Sequence, residues 1–144
     1  MRVLRARLLV IIAALVVACS KDLYRGFQHP SPDGELIATF FGFGGGGAAG
    51  WAAEYVSIRP SHEPFGNEPF VLQLDHAYEI CLTWVGPREL HVGYPNTAQV
   101  ISREATSQPP ESVAITYEAL PSALLATAPG GRCGRLGRPS DPWG

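Results

Sequence analysis

The chain has 144 residues and a formal net charge of −2 at pH 7, with 11 Lys and Arg residues against 13 Asp and Glu residues. This balance lacks the basic stripe of a nucleic-acid-binding protein, so we expect no nucleic-acid partner. The length suits one small domain, and the absence of a sustained helical period in the sequence argues against an all-α fold.

The first 18 residues have the three parts of a secretory signal peptide. Arg2, Arg5 and Arg7 form a positive start without acidic residues, and residues 8–18 are an unbroken apolar run of eleven. A membrane-spanning helix needs roughly 20 apolar residues. The sequence therefore predicts a signal peptide over residues 1–18 and not a permanent membrane-spanning anchor.

The signal peptide ends in Val16-Val17-Ala18-Cys19, which resembles the lipobox of bacterial lipoproteins at all four positions. The resemblance implies cleavage between Ala18 and Cys19, a diacylglycerol on the Cys19 sulfur and acylation of the new amino terminus. Two or three acyl chains hold a protein at a membrane, whereas one alone is marginal. The alternatives are an ordinary signal peptide cut at the same bond and an uncleaved anchor.

Residues 19–30 are predicted to be a lipidated tether. Lipoproteins kept at the inner membrane often carry Asp after the cysteine; Ser20 stands there instead and favours the periplasmic face of the outer membrane. The folded domain is expected to start at residues 31–34 (SPDG), because Pro presets φ at the second position of a turn and Gly suits the fourth.

Strands follow the turn in chain order. Residues 35–43 are apolar on both faces, which predicts a central strand. A glycine-rich loop is predicted over 42–50, a second strand over about 52–59, and a loop over 61–69. Residues 70–75 alternate between apolar and polar side chains and are predicted as the third strand.

The clearest unit is a hairpin of residues 80–84 and 90–94, turning at Gly86-Pro87-Arg88. A register with Trp84 opposite Leu90 puts six apolar side chains on one face: Ile80, Leu82, Trp84, Leu90, Val92 and Tyr94. The same register sets Thr83 opposite His91.

A weaker strand is predicted at about 98–104 and the last strand at 113–117, followed by a helical turn within 121–128. The predicted class is all-β or nearly so: a single small antiparallel sheet, or a partly open sandwich or barrel, of about six strands. The β-rich domain is expected over 31–120 and a disordered, flexible tail over 121–144.

The order SPDG, GGAA, VSIRP, LTW and ELHVGYP is similar to that of a group of small β-rich bacterial lipoproteins, over about residues 31–118. That group brings no established activity, so the resemblance implies only the fold class. The SPDG entry also resembles that of β-propeller blades, but it occurs once here and a propeller needs at least about four blades.

Gly42, Gly44 and Gly47 match the spacing GxGxxG, but a dinucleotide site needs a following helix, and a strand is predicted there. We expect a turn and no cofactor. Six scattered side chains offer metal ligands without the spacing of zinc motifs, so polar surface and no metal site is predicted: His62, Glu63, Asp75, His76, Glu79 and His91.

Cys81 and His91 are expected to be neighbours across the hairpin, but no orienting group or oxyanion donor accompanies them, so no catalytic dyad is predicted. For Cys81 and Cys133 we favour a buried and a free thiol; a disulfide in an oxidising compartment is the alternative. Four aromatic residues are predicted mainly to pack in the core, with an aromatic binding face as the alternative: Trp51, Tyr55, Trp84 and Tyr94.

The leading functional hypothesis is a membrane-anchored, non-enzymatic envelope lipoprotein whose β-domain binds or supports an envelope protein or cell-wall component. One alternative is a small envelope hydrolase using His and carboxylate side chains. Another is an inhibitor of an external hydrolase. Clustering of His62, Asp75, His76 and His91 in one cleft would favour the enzyme, and dispersal would favour the binding domain.

Overall fold

The computed structural model describes residues 21–45, 51–66, 68–108, 112–125 and 130–144. These described residues form nine strands and one short helix: β1 (Asp22–Pro30), β2 (Leu36–Gly45), β3 (Trp51–Pro60), β4 (Phe70–Asp75), β5 (Glu79–Gly86), β6 (Glu89–Pro95), β7 (Gln99–Arg103), β8 (Ala114–Leu120), α1 (Ser122–Leu125) and β9 (Arg132–Arg135). The predicted all-β class is confirmed.

The strands form two sheets that share one hydrophobic core. The first has five antiparallel strands in the order β1-β2-β3-β4-β7. The second has four in the order β8-β6-β5-β9, and it is mixed because β8 runs parallel to β6. Side chains from both sheets meet in one buried cluster, among them Phe40 and Leu72 from the first sheet and Leu82 and Val92 from the second. The architecture is the partly open sandwich.

The hairpin register predicted from the sequence is confirmed. Trp84 pairs with Leu90, and Thr83 pairs with His91. The six side chains predicted on one face all lie in the hydrophobic core. The alternation of residues along two adjacent strands was sufficient here, because a two-residue period and a short turn leave one register that buries every apolar side chain.

The central position predicted for the apolar strand is also confirmed, since β2 lies between β1 and β3. The SPDG turn precedes it as expected: the amide of Gly34 donates to the carbonyl of Ser31 over 2.9 Å, and Gly34 has a φ of 73°. Gly tolerates this left-handed conformation at no steric cost.

The predicted tether over 19–30 is corrected by β1. Residues 22–30 are a strand that pairs along almost the whole of β2, from Asp22 opposite Gly44 to Pro30 opposite Ile37. The segment DLYRGFQHP lacks a clean alternation of apolar and polar residues. It forms a strand because the central strand β2 would otherwise have an unpaired edge.

The prediction of a flexible tail is corrected for residues 130–144. Strand β9 pairs with β5, and a disulfide joins Cys81 to Cys133 at directly opposed positions. The buried and free thiols favoured from the sequence are therefore wrong, and the disulfide alternative holds. Beyond β9, the amides of Gly137 and Gly144 donate to carbonyls of β1, which covers part of that edge strand.

Candidate functional site

A cleft of about 720 Å³ opens at the end of the first sheet where β1 and β3 begin and β4 ends. We call it the rim cleft. It carries acidic, aromatic and imidazole groups as well as apolar ones, and its lining residues are Asp22, Tyr24, Gly45, Trp51, Ala52, Ala53, Gln73, Asp75, His76, Tyr78 and Ile101. Residues from five strands and one turn thus converge on one opening.

The turn between β4 and β5 forms one wall of the rim cleft. His76 and Tyr78 have φ angles of 62° and 49°, the left-handed region that non-glycine residues seldom occupy. The imidazole Nδ1 of His76 lies 2.9 Å from a carboxylate oxygen of Asp75, and both side chains reach solvent. Backbone strain of this kind persists only where surrounding contacts hold it, and it is common at binding sites.

Glu54 connects this turn to the first sheet through a hydrogen bond. It lies on β3, opposite Leu74 of β4, and is fully buried. One carboxylate oxygen accepts a hydrogen bond from the Ala77 amide over 3.4 Å, whereas the other has no protein partner. Burial raises the pKa of Glu54 above its ordinary value, the amides of Ala77 and Tyr78 oppose this, and the charge of Asp75 adds to it. The carboxyl group behind this turn is therefore harder to ionise than a carboxyl group in water.

Exposed apolar side chains lie in the rim cleft and next to it in sequence. Trp51 is 47% exposed and Tyr78 56%, and on β7 Val100 is 36% and Ile101 50% exposed. The Lys21 ammonium lies 5.7 Å from the centre of the Trp51 ring, a cation–π distance. We call these five residues the N-terminal rim, because they lie in the half of the sheet nearer to where the described chain begins.

The four side chains proposed to discriminate an enzyme from a binding domain do not converge. Asp75 and His76 line the rim cleft. His62 lies in a separate shallow cleft with Asp33 and Arg88. His91 lies on the second sheet, where its ring is 3.0 Å from the Thr116 hydroxyl.

Across the described residues, no three His, Cys, Asp or Glu side chains are grouped closely enough to hold a metal ion. Glu63 is exposed in the loop after β3, and Glu79 pairs with Arg135 on the second sheet, 2.8 Å apart. The Cys81–His91 dyad is excluded, because Cys81 is bound in the disulfide.

The aromatic residues divide between the two predicted roles. Trp84 and Tyr94 are buried in the core, and the Trp84 indole donates to the His29 carbonyl over 2.9 Å. Tyr55 is half-buried and stacks with Phe41 on the face of the first sheet that points away from the core. Trp51 is exposed. Core packing is thus confirmed for two of the four.

Gly42 and Gly44, the two described glycines of the GxGxxG spacing, have a steric role. Gly42 and Gly44 belong to β2 and not to a loop. A Cβ on Gly42 would lie 2.6 Å from Leu136 Cδ1, and one on Gly44 would lie 2.7 Å from the Tyr24 ring. Gly47, the last residue of the GxGxxG spacing, lies outside the described residues.

Sequence reasoning missed Glu54 and Tyr78. The signal for Glu54 was present: in β3 it shares its face with Val56 and Ile58, which point to the core. A carboxylate at an inward position of an alternating strand is rare, so it indicates a candidate site residue. Tyr78 carried no such signal, because its exposure and left-handed backbone depend on how the turn packs.

The lipobox at residues 16–19 lies outside the described residues. No helix in the described part of the chain has the length and apolar character that crossing a bilayer would need. Comparison of the chain with protein-family models, with curated proteins and with solved structures returned no match.

Proposed function

We propose that the chain is an exported lipoprotein, anchored by lipid on Cys19 to the periplasmic face of the outer membrane, with a non-enzymatic β-domain that binds an envelope component. This proposal rests on three successive segments at the N-terminus: a positively charged start, eleven apolar residues and the lipobox. Eleven apolar residues are too few to span a bilayer and are typical of a signal peptide.

The disulfide is an independent argument for export. A bond between Cys81 and Cys133 persists in oxidising compartments such as the periplasm and is rare in the reducing cytosol. The two cysteines are 52 residues apart in sequence, and they become neighbours only through the pairing of β5 with β9. This supports a domain that folds and works outside the cytosol.

Binding is favoured over catalysis by the distribution of reactive side chains. His62, His76 and His91 lie at three separate places. A hydrolase of this kind would need a nucleophile or activated water beside a base and a group to orient that base. The rim cleft contains the Asp75–His76 pair but no Ser, Thr or Cys among its lining residues. It combines this pair with aromatic and apolar groups, a mixture that is common in binding sites.

Metabolic labelling with a fatty-acid analogue tests the anchor. The wild-type protein is expected to incorporate the label and to sediment with membranes. Cys19→Ala removes the sulfur that accepts diacylglycerol, so the variant is expected to carry no label and to stay as precursor or leave the membrane fraction.

Ser20→Ala serves as the matched control, because it changes the neighbouring residue and leaves the sulfur. It is expected to be labelled like the wild type. Equal labelling of Cys19→Ala and wild type would refute the lipid attachment at this residue.

A further inference from the structure

We infer that the N-terminal rim is a membrane-contact surface whose occupant is the leaflet that holds the lipid anchor, so the domain lies directly on the bilayer and not at the end of a tether. This inference rests on the proposed lipid attachment at Cys19. Its surface consists of Lys21, Trp51, Tyr78, Val100 and Ile101.

The short connection to the anchor is the first argument. Strand β1 begins at Asp22, so Ser20 and Lys21 alone separate it from Cys19. An extended chain covers at most about 3.3–3.6 Å per residue, so Asp22 lies within roughly 11 Å of the lipidated residue. With headgroup layers several ångströms thick on each side of the hydrocarbon, this connection brings the end of the first sheet to the headgroups.

The direction of the strands is the second argument. The end of β1 nearest the anchor pairs with Gly44 of β2, and Trp51 starts β3 at the same end. Further across the sheet, Asp75 at the end of β4 pairs with Gln99 at the start of β7. The pairing therefore places Trp51 and the start of β7, with Val100 and Ile101, in the half of the sheet nearer the lipid anchor.

The chemistry of the rim is the third argument. Trp and Tyr are enriched where headgroups meet hydrocarbon, because their rings are apolar and their N–H and O–H groups are polar. The rim presents one of each, with Val100 and Ile101 as aliphatic neighbours. Lys21 beside the Trp51 ring adds a cation at the level of the lipid phosphates.

Fluorescence quenching by brominated lipid tests the contact. The lipidated protein is reconstituted in vesicles of phosphatidylethanolamine and phosphatidylcholine, with or without bromine on the phosphatidylcholine acyl chains. Bromine quenches only indoles that lie close to it. Flotation of the vesicles first establishes that the protein is attached.

The three tryptophans provide the internal controls. Trp84 is buried in the core, and Trp143 packs on Phe65. Brominated lipid is expected to quench the wild type, Trp51→Phe is expected to lose that quenching, and Trp143→Phe is expected to keep it.

The outcomes separate the two proposals. Flotation with no quenching, or with equal quenching in wild type and Trp51→Phe, overturns the contact surface while the lipid anchor stands. Absence of flotation overturns both.

Discussion

Leu136 lies over Gly42 so closely that a Cβ on the glycine would come within 2.6 Å of Leu136 Cδ1. Leu136 packs against the hydrophobic core just beyond β9. The glycine therefore makes room for a residue almost a hundred positions away in sequence. This close approach explains why a strand at the centre of the sheet contains glycine, although glycine weakens strands.

Gly42→Ala is expected to destabilise the domain by about 1–3 kcal/mol, the usual cost of over-packing a core. Denaturant melts measure the loss. In a Leu136→Ala background the same substitution is expected to cost clearly less, because the clashing methyl group is gone.

Gly86→Ala is the matched control for that series. A Cβ there would meet Glu89 atoms only at 3.9 Å, so its effect is expected to stay within about 1 kcal/mol. Strict additivity of Gly42→Ala and Leu136→Ala would contradict the proposed contact.

Reduction of the disulfide is expected to destabilise the domain by about 4 kcal/mol, the loop-entropy value for a separation of 52 residues. The bond limits the freedom of the unfolded chain and holds β9 on β5. The free energy of unfolding, measured with and without reductant, gives the difference. A Cys81→Ala, Cys133→Ala double variant is expected to be insensitive to reductant, and a wild-type change below about 1 kcal/mol would refute the stabilising role.

Trp84→Ala is expected to cost about 3–5 kcal/mol, because it removes a large core side chain and the hydrogen bond to the His29 carbonyl. Trp51→Ala is the control: its side chain is 47% exposed, and the expected loss is below about 1 kcal/mol. Comparable losses in the two variants, measured by urea denaturation, would show that Trp84 is not the core residue described.

Glu54→Gln is expected to change how stability depends on pH. Burial raises the pKa of Glu54 above its ordinary value of 4.5. Because the pKa is higher in the folded protein, the contribution of Glu54 to the free energy of unfolding is fully present below the unfolded-state pKa. It is lost as pH rises through the folded-state pKa. The glutamine keeps an oxygen for the Ala77 amide and cannot ionise, so its stability advantage over wild type is expected to grow with pH.

Unfolding free energies of both proteins between about pH 4 and about pH 8 check this sign. The informative quantity is the difference in unfolding free energy between the two proteins at each pH, because effects common to both proteins cancel in it. A difference that stays constant over this range would mean that Glu54 ionises in the folded protein as it does in the unfolded chain.

Local pattern determined most of the sandwich. Strands β2 to β8 correspond to segments predicted from alternation and turn residues, because each strand's side-chain period of two and each turn's Gly or Pro are written in neighbouring residues. The hairpin of β5 and β6 was predictable to the level of single residue pairs. The signal peptide and lipobox hypotheses come from the same kind of local information.

Tertiary structure alone decided the edges and the candidate site. Strand β1 lacks alternation and exists because β2 offers it an unpaired edge. Strand β9 is four residues long and is held by β5 and by the disulfide. The rim cleft joins Asp22, Trp51 and Ile101, which no local pattern relates. Pairing between distant segments depends on which edges and faces remain uncovered after the core has formed, and one stretch of sequence does not contain that information.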